Sequence, residues 1–349
     1  MKMKALIWTG LGIFISGVIL CGVVLLCVGC SFSNLSTAEP PVYAEQTFSA
    51  AEVEKIDISV LTDDLNVIVS EDDAIHVGYF TTSRSDYTLE LLDGTLSVKN
   101  VYLGWETNWL QTLTSVDFRG DAVCTTLSLP ADLIADLSLS ATTGDVKAAD
   151  CTVSNLVVST KTGSVRLTNI ASMGDVTVTG TTGDATLEQV TCQSLQRSAS
   201  TGKSTLHGVR CSTLTVHGTT GRINMDDVTV DGALTAESET GNATLQNVTC
   251  LTLSRSATTG ETTLKTVQCD ALTLSASTGN VTLDAVDAKA LTIRTTTGNV
   301  KGSLLGGQSA YAFAIETSTG NCNLPMDWQA GERQLAISTT TGNIHITFA

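Results

Sequence analysis

The chain has 349 residues, only 15% of them charged, four prolines and a formal net charge of −16. That charge excludes a nucleic-acid partner, whose phosphates need Lys and Arg to neutralise them, and it disfavours direct docking on anionic lipid. The scarcity of proline beside abundant Thr, Val, Leu and Gly excludes a proline-rich or disordered linker protein.

From the N-terminus, Lys2 and Lys4 precede an uncharged, mainly apolar run over residues 5–30. At about 1.5 Å per residue such a run crosses a roughly 30 Å hydrocarbon core as one transmembrane helix. The positive charge lies only before it, so residues 1–4 are expected to be cytoplasmic and everything after residue 30 extracellular, a single-pass arrangement at the cell membrane. A competing reading is lipidation at Cys30, because Val28-Gly29-Cys30-Ser31 resembles a bacterial lipobox with Cys27 where Leu is usual. Residues 31–47 read as a short polar linker with Pro40-Pro41.

Residues 48–136 alternate apolar and polar: Ile56, Ile58 and Val60, then Leu65, Val67 and Val69, then Ile75, Val77 and Tyr79. Asp63-Asp64 and residues 71–73 are turn clusters, and residues 87–98 form a hairpin turning at Asp93-Gly94. These are strands, expected to cap the repeats of residues 137–349. Residues 102–118 carry Trp105, Trp109 and Leu110, read as an insertion packed over the first coil or as an aromatic ligand platform.

Residues 137–349 are organised by Thr-Gly followed most often by Asp or Asn. Glycines fall at 144, 163, 183, 202, 221, 241, 260, 279, 298, 320 and 342, spaced by 19 or 20 residues and finally by 22. Such a period is the signature of a solenoid. Seven residues before each glycine the slot is always apolar, from Leu137 to Phe313 and Leu335. Four after it the residue is nearly always apolar, as in Leu167, Leu187 and Leu206. The expected fold is all-β, a right-handed parallel β-helix (β-solenoid) of 19–20-residue coils preceded by the membrane helix. Stacking at about 4.8 Å makes it roughly 50 Å long.

The corner residues Thr143-Gly144, Thr182-Gly183, Thr240-Gly241 and Thr278-Gly279 are expected to be structural. Gly supplies a left-handed corner, and Thr turns its methyl inward while its hydroxyl bonds the backbone. The following residue suits the turn and faces outward, and its interruption by Ser164, Lys203, Arg222 and Glu261 argues against a calcium column. Cys192, Cys211, Cys250 and Cys269 share the slot nine after the glycine and read as a column of small buried thiols, with disulfides between neighbouring coils as the alternative. Arg197 and Arg255 fall on an inward slot and are expected to reach out over an open edge. The 22-residue spacings mark excursions at 304–310 and 324–334, the latter a cover carrying Pro325 and Trp328. With Trp105 and Trp109, Trp328 is the candidate ligand surface.

The membrane run, the entry phrase FSAAEVEKIDIS at 48–59, the Thr-Gly corners and GNVKGSLL at 298–305 together resemble a bacterial putative-adhesin β-strand-repeat family, a domain of unknown function in Gram-positive surface proteins. The resemblance implies a surface role.

His76, His207, His217 and His345 are scattered without catalytic or metal-ligand spacing, and acidic residues are dispersed, so neither an enzyme, a cofactor nor a metal is expected. A polysaccharide-processing β-helix and an ice-binding Thr ladder are the weaker alternatives, the ladder being broken by Gln196, Asn224 and Lys301. The expected role is a non-enzymatic, adhesin-like surface protein that binds a cell-wall or host-matrix polymer or an envelope protein. A sensor or regulatory module in a cell-envelope stress response is the alternative.

Overall fold

Period-two alternation on either side of a sharp bend makes each repeat two short strands with one apolar face apiece, and neither face can be buried within a single repeat. The computed structural model describes residues 40–82, 85–102, 123–131, 133–328 and 331–349. They fall into two units. The smaller includes Tyr43 and Phe80, whose rings meet edge to face at 5.3 Å. The larger takes in Ala44–Tyr79, Tyr87–Asn100 and Cys124–Ala349, and is a parallel β-solenoid. The expected membrane span and linker before residue 40, and Trp105 and Trp109, lie outside the described residues. Among the described residues no helix is long and apolar enough to cross a membrane.

Like stacks on like. Leu156 pairs with Leu137 on one side and Val176 on the other, and Leu167 with Ala148 and Leu187. These slots are 0–2% exposed and belong to one apolar core running from Val53 to Ile346. Burying each Val or Leu contributes about 2 kcal/mol, which is why no coil is stable without neighbours.

Chain order and stacking order agree from residue 136 to 304 and part at both ends. At the C-terminal end, strand Arg333–Thr341 pairs on one side with Val281–Thr297 and on the other with Tyr311–Thr319. The coil with corner Gly342 is therefore inserted between those of Gly298 and Gly320. Asp327–Trp328 pairs antiparallel with Phe313–Ala314 on the outer edge of that last layer. At the other end, Lys55–Val60 lies between Thr95–Tyr102 and Asp136–Thr143, and Asp64–Val69 between Cys124–Leu129 and Val146–Ala149. Residues 55–69, read from sequence as part of a cap, thus form a coil of the same stack.

The corner differs from expectation in two respects. Ten of the eleven corner glycines have φ between 140° and 159°, well away from the left-handed helical region. Gly is demanded both by this positive φ, which L side chains rarely adopt, and by the layer beneath: a Cβ on Gly163 would overlap the Gly144 carbonyl oxygen, and the same holds for Gly183 over Gly163 and Gly298 over Gly279. The left-handed residues sit six positions later. Asp150, Asn169, Gln189, Asp227, Asn247, Thr266 and Ala285 have φ of 50–58°, and Gly208 fills the slot at 65°.

Candidate functional site

The Thr preceding each corner glycine is a correction. All eleven, including Thr143, Thr182, Thr240 and Thr278, are exposed rather than turned inward. Except at Thr143, their backbone carbonyls hold the stack instead, accepting from the corner glycine of the neighbouring coil, as in Gly144 to Thr162 at 3.0 Å and Gly241 to Thr259 at 2.9 Å. The inward hydroxyl is two residues earlier: Thr160, Ser238, Thr317 and Thr339 each donate to a corner glycine carbonyl at 3.3–3.4 Å.

The residue after the glycine is tied in as well as displayed. The Oδ1 of Asp145 accepts from the Ser164 N–H at 2.8 Å, and that of Asp184 from Lys203 at 2.8 Å. Asn280 accepts from Asn299, Asn299 from Asn343, and Asn343 from Asn321, at 2.8–2.9 Å. An amide used this way keeps Nδ2 donors that an aspartate lacks, although Asn280 gives one to Glu261 at 3.3 Å and Asn299 one to Asn280 at 3.4 Å. In stacking order the column is acidic at Asp64, Asp145 and Asp184, basic at Lys203 and Arg222, then mostly amide from Asn242 to Asn321. Along the amide portion a shallow, largely open groove of about 900 Å³ is lined by Thr, Gly and Asn of successive corners and by one charged residue, Glu261. It offers hydroxyl and amide groups at the coil repeat, about 4.8 Å. Those groups are hydrogen-bond donors and acceptors.

Trp328 lies apart from this groove, on the strand beside Phe313. The thiols of Cys192, Cys211, Cys250 and Cys269 are free and 5–8% exposed, in the core. Arg197 and Arg255, expected to reach out over an edge, are only 1% exposed. Each instead turns its head mainly to backbone oxygens: Arg197 Nη1 donates to Ser198 at 2.9 Å and Nη2 to Gly183 at 3.3 Å, while Arg255 reaches the carbonyls of Ala236, Gly241 and Ser256 at 2.6–3.3 Å and Ser238 Oγ at 2.8 Å. Gly180 leaves the space that the Arg197 head fills. Burial pulls both guanidiniums down to about 10. Of the four histidines, His76, His207 and His217 each sit beside a carboxylate, His76 closest, 2.8 Å from Asp72. Among the described residues no group of three or more His, Cys, Asp or Glu is placed to hold a metal ion.

One polar cluster escaped the sequence. Asp63 occupies the corner position beneath Gly144, and the Asp64 Oδ1 accepts from the Asp145 N–H at 2.8 Å, so Thr62-Asp63-Asp64 is a diverged corner. The flanking Thr and Asp were the available signal. The Asp63 carboxylate, 8% exposed, accepts from the Tyr87 hydroxyl, which lies 2.7 Å from Thr125 Oγ1. Burial raises Asp63 above the ordinary carboxylate range, and burial followed by the Asp63 contact pushes Tyr87 up.

No curated protein matches the chain. Among solved structures, a putative cell adhesion protein from Clostridium sporogenes ATCC 15579 is 10% identical, with 89% of this chain and 100% of that one covered and a TM-score of 0.21. A putative adhesin from Parabacteroides distasonis ATCC 8503 is 12% identical over 88% and 97%, with a TM-score of 0.35. A putative lipid binding protein from the same organism is 12% identical over 88% and 96%, with a TM-score of 0.34. Residues 53–249 and 233–349 match the family model Toastrack DUF4097, and together these two stretches take in the whole repeat region, so the chain belongs to the Toastrack DUF4097 family.

Proposed function

We propose that the chain is a non-enzymatic binding protein of the cell surface, tethered through residues 5–30, which lays its corner column along an extended, largely uncharged polymer of the cell wall or host matrix. The observation that carries this reading is the amide-lined groove. Its hydroxyls and Nδ2 donors recur at one fixed interval, and a linear polysaccharide presents acceptors repetitively along its length. Many weak contacts in register then add through effective concentration rather than through one deep pocket.

Full-length protein is incubated with immobilised cell-wall and matrix polysaccharides, alongside the double variant Asn299→Asp/Asn343→Asp. Aspartate keeps the Oδ1 that holds the stack and removes the amide donors. The expected result is retention on at least one polymer, weakened about tenfold by the pair, as loss of one or two hydrogen bonds implies. Retention on none, or retention indifferent to the pair, would overturn the reading. Tethering is checked separately: the chain should stay with membranes through a high-salt wash and be shaved by protease added to intact cells.

A further inference from the structure

Nine positions after the corner, successive coils place Val153, Ser172, Cys192, Cys211, Val230, Cys250, Cys269 and Ala288 in one buried column. The register is explicit on either side of the cysteines: Cys211 pairs with Val230, Val230 with Cys250, and Cys269 with Ala288. Thr191 pairs with Arg210 and Thr249 with Gln268, which sets Cys192 beside Cys211 and Cys250 beside Cys269. All four thiols are free. Val230 separates the two pairs.

We propose that Cys192–Cys211 and Cys250–Cys269 are two thiol-oxidation sites, each closing to a disulfide that staples one coil to the next. Neighbouring parallel strands lie about 4.8 Å apart, inside the Cα range for a disulfide, while stacked Cβ atoms stand slightly beyond theirs. The bond therefore forms with some tilting of the side chains and stays reducible. Cys211 and Cys250 are separated by two layers, about 9.6 Å, beyond reach. The oxidant is a disulfide, either a small molecule or the active site of a thiol–disulfide oxidoreductase.

One cysteine, as its thiolate, attacks the oxidant's sulfur to give a mixed disulfide and expels one thiolate. The neighbour then loses its proton and attacks the protein-bound sulfur, forming the cross-coil bond and expelling the second. Two electrons pass to the oxidant, and the two protons end on the released thiols. Either cysteine of a pair can make the first attack, because the thiol beside it stabilises whichever thiolate forms.

Reduced full-length protein is exposed under native conditions to oxidised glutathione, then denatured, alkylated and digested with trypsin. Arg197, Lys203 and Arg210 lie between the first pair, and Arg255 and Lys265 between the second, so each link joins separate peptides. The expected map shows 192–211 and 250–269 links, each two hydrogens lighter than its reduced peptides, and a rise in thermal midpoint that reductant reverses and Cys211→Ala/Cys269→Ala abolishes. Full alkylation of all four cysteines after oxidant, or links between Cys211 and Cys250, would overturn the proposal.

Discussion

The Arg255 Nη2 donates to the carbonyl of Gly241 at 3.0 Å, reaching back across a full coil from its own corner at Gly260. A charge inside an apolar column is thereby solvated by the backbone of the fold it stabilises. Such an arrangement is costly to break and not costly to replace. Arg255→Met, similar in length and apolar, is expected to leave the unfolding free energy from urea titration within about 1 kcal/mol of the parent or raise it. Arg255→Ala leaves a cavity and should cost about 2–4 kcal/mol. Equal losses in the two variants would show the guanidinium itself to be required.

Gly183 and Thr182 are adjacent and equally regular in sequence, yet they should respond oppositely. Gly183→Ala drives a methyl into the Gly163 carbonyl at a φ of 140°, and is expected to destabilise by more than about 3 kcal/mol or prevent folding. Thr182→Ala removes only exposed atoms and should change stability by no more than about 0.5 kcal/mol. Circular dichroism during urea unfolding of both variants compares them directly.

Thr266 holds φ at 50° in the slot that Asn169 and Asn247 fill elsewhere. A β-branched residue is strained there, while Asn tolerates the conformation. Thr266→Asn should raise stability by roughly 0.5–1 kcal/mol, and Asn247→Thr should lower it by a similar amount. Matching thermal shifts of opposite sign are the readout.

Asp63 gives a pH dependence of defined sign. Its folded pKa is raised above the ordinary 3.8 by burial, so the native state holds the proton more tightly than the unfolded chain. Stability from this group is present below 3.8 and is lost as pH rises through the folded value. Asp63→Asn keeps an acceptor for Tyr87 and removes the charge. It should be more stable than the parent at pH 7, with the difference shrinking as pH approaches 4. A constant difference across that range would place its origin elsewhere.

The solenoid could be read from the sequence because stacking converts one apolar slot into a column, and a column of Leu137, Leu156, Val176 and their successors has no other explanation. The direction of Thr182 could not: a threonine suits an inward or an outward slot, and only the corner geometry decides. Nor could the heads of Arg197 and Arg255 be placed, because most of the oxygens that receive them are backbone atoms, invisible in side-chain patterns, and Ser238 Oγ is the one side-chain acceptor among them. Asp63 was missed because a carboxylate replaces the one residue by which the corner was recognised. The groove was half legible. The Asn column was plain in the repeats, but its continuation from Asn299 through Asn343 to Asn321 depends on a stacking order the spacing does not encode.

That inverted order has a kinetic consequence. Tyr311–Thr319 is synthesised before Arg333–Thr341, yet that later strand is its parallel partner. Layers from Gly144 to Gly298 can zip on one at a time, each finding its seat already made. The strand after them must wait with one ladder unpaired until the following segment slips beneath it. Two layers then lock in a single event, and the rate of closing that end is set by a loop, not by the addition of one more coil.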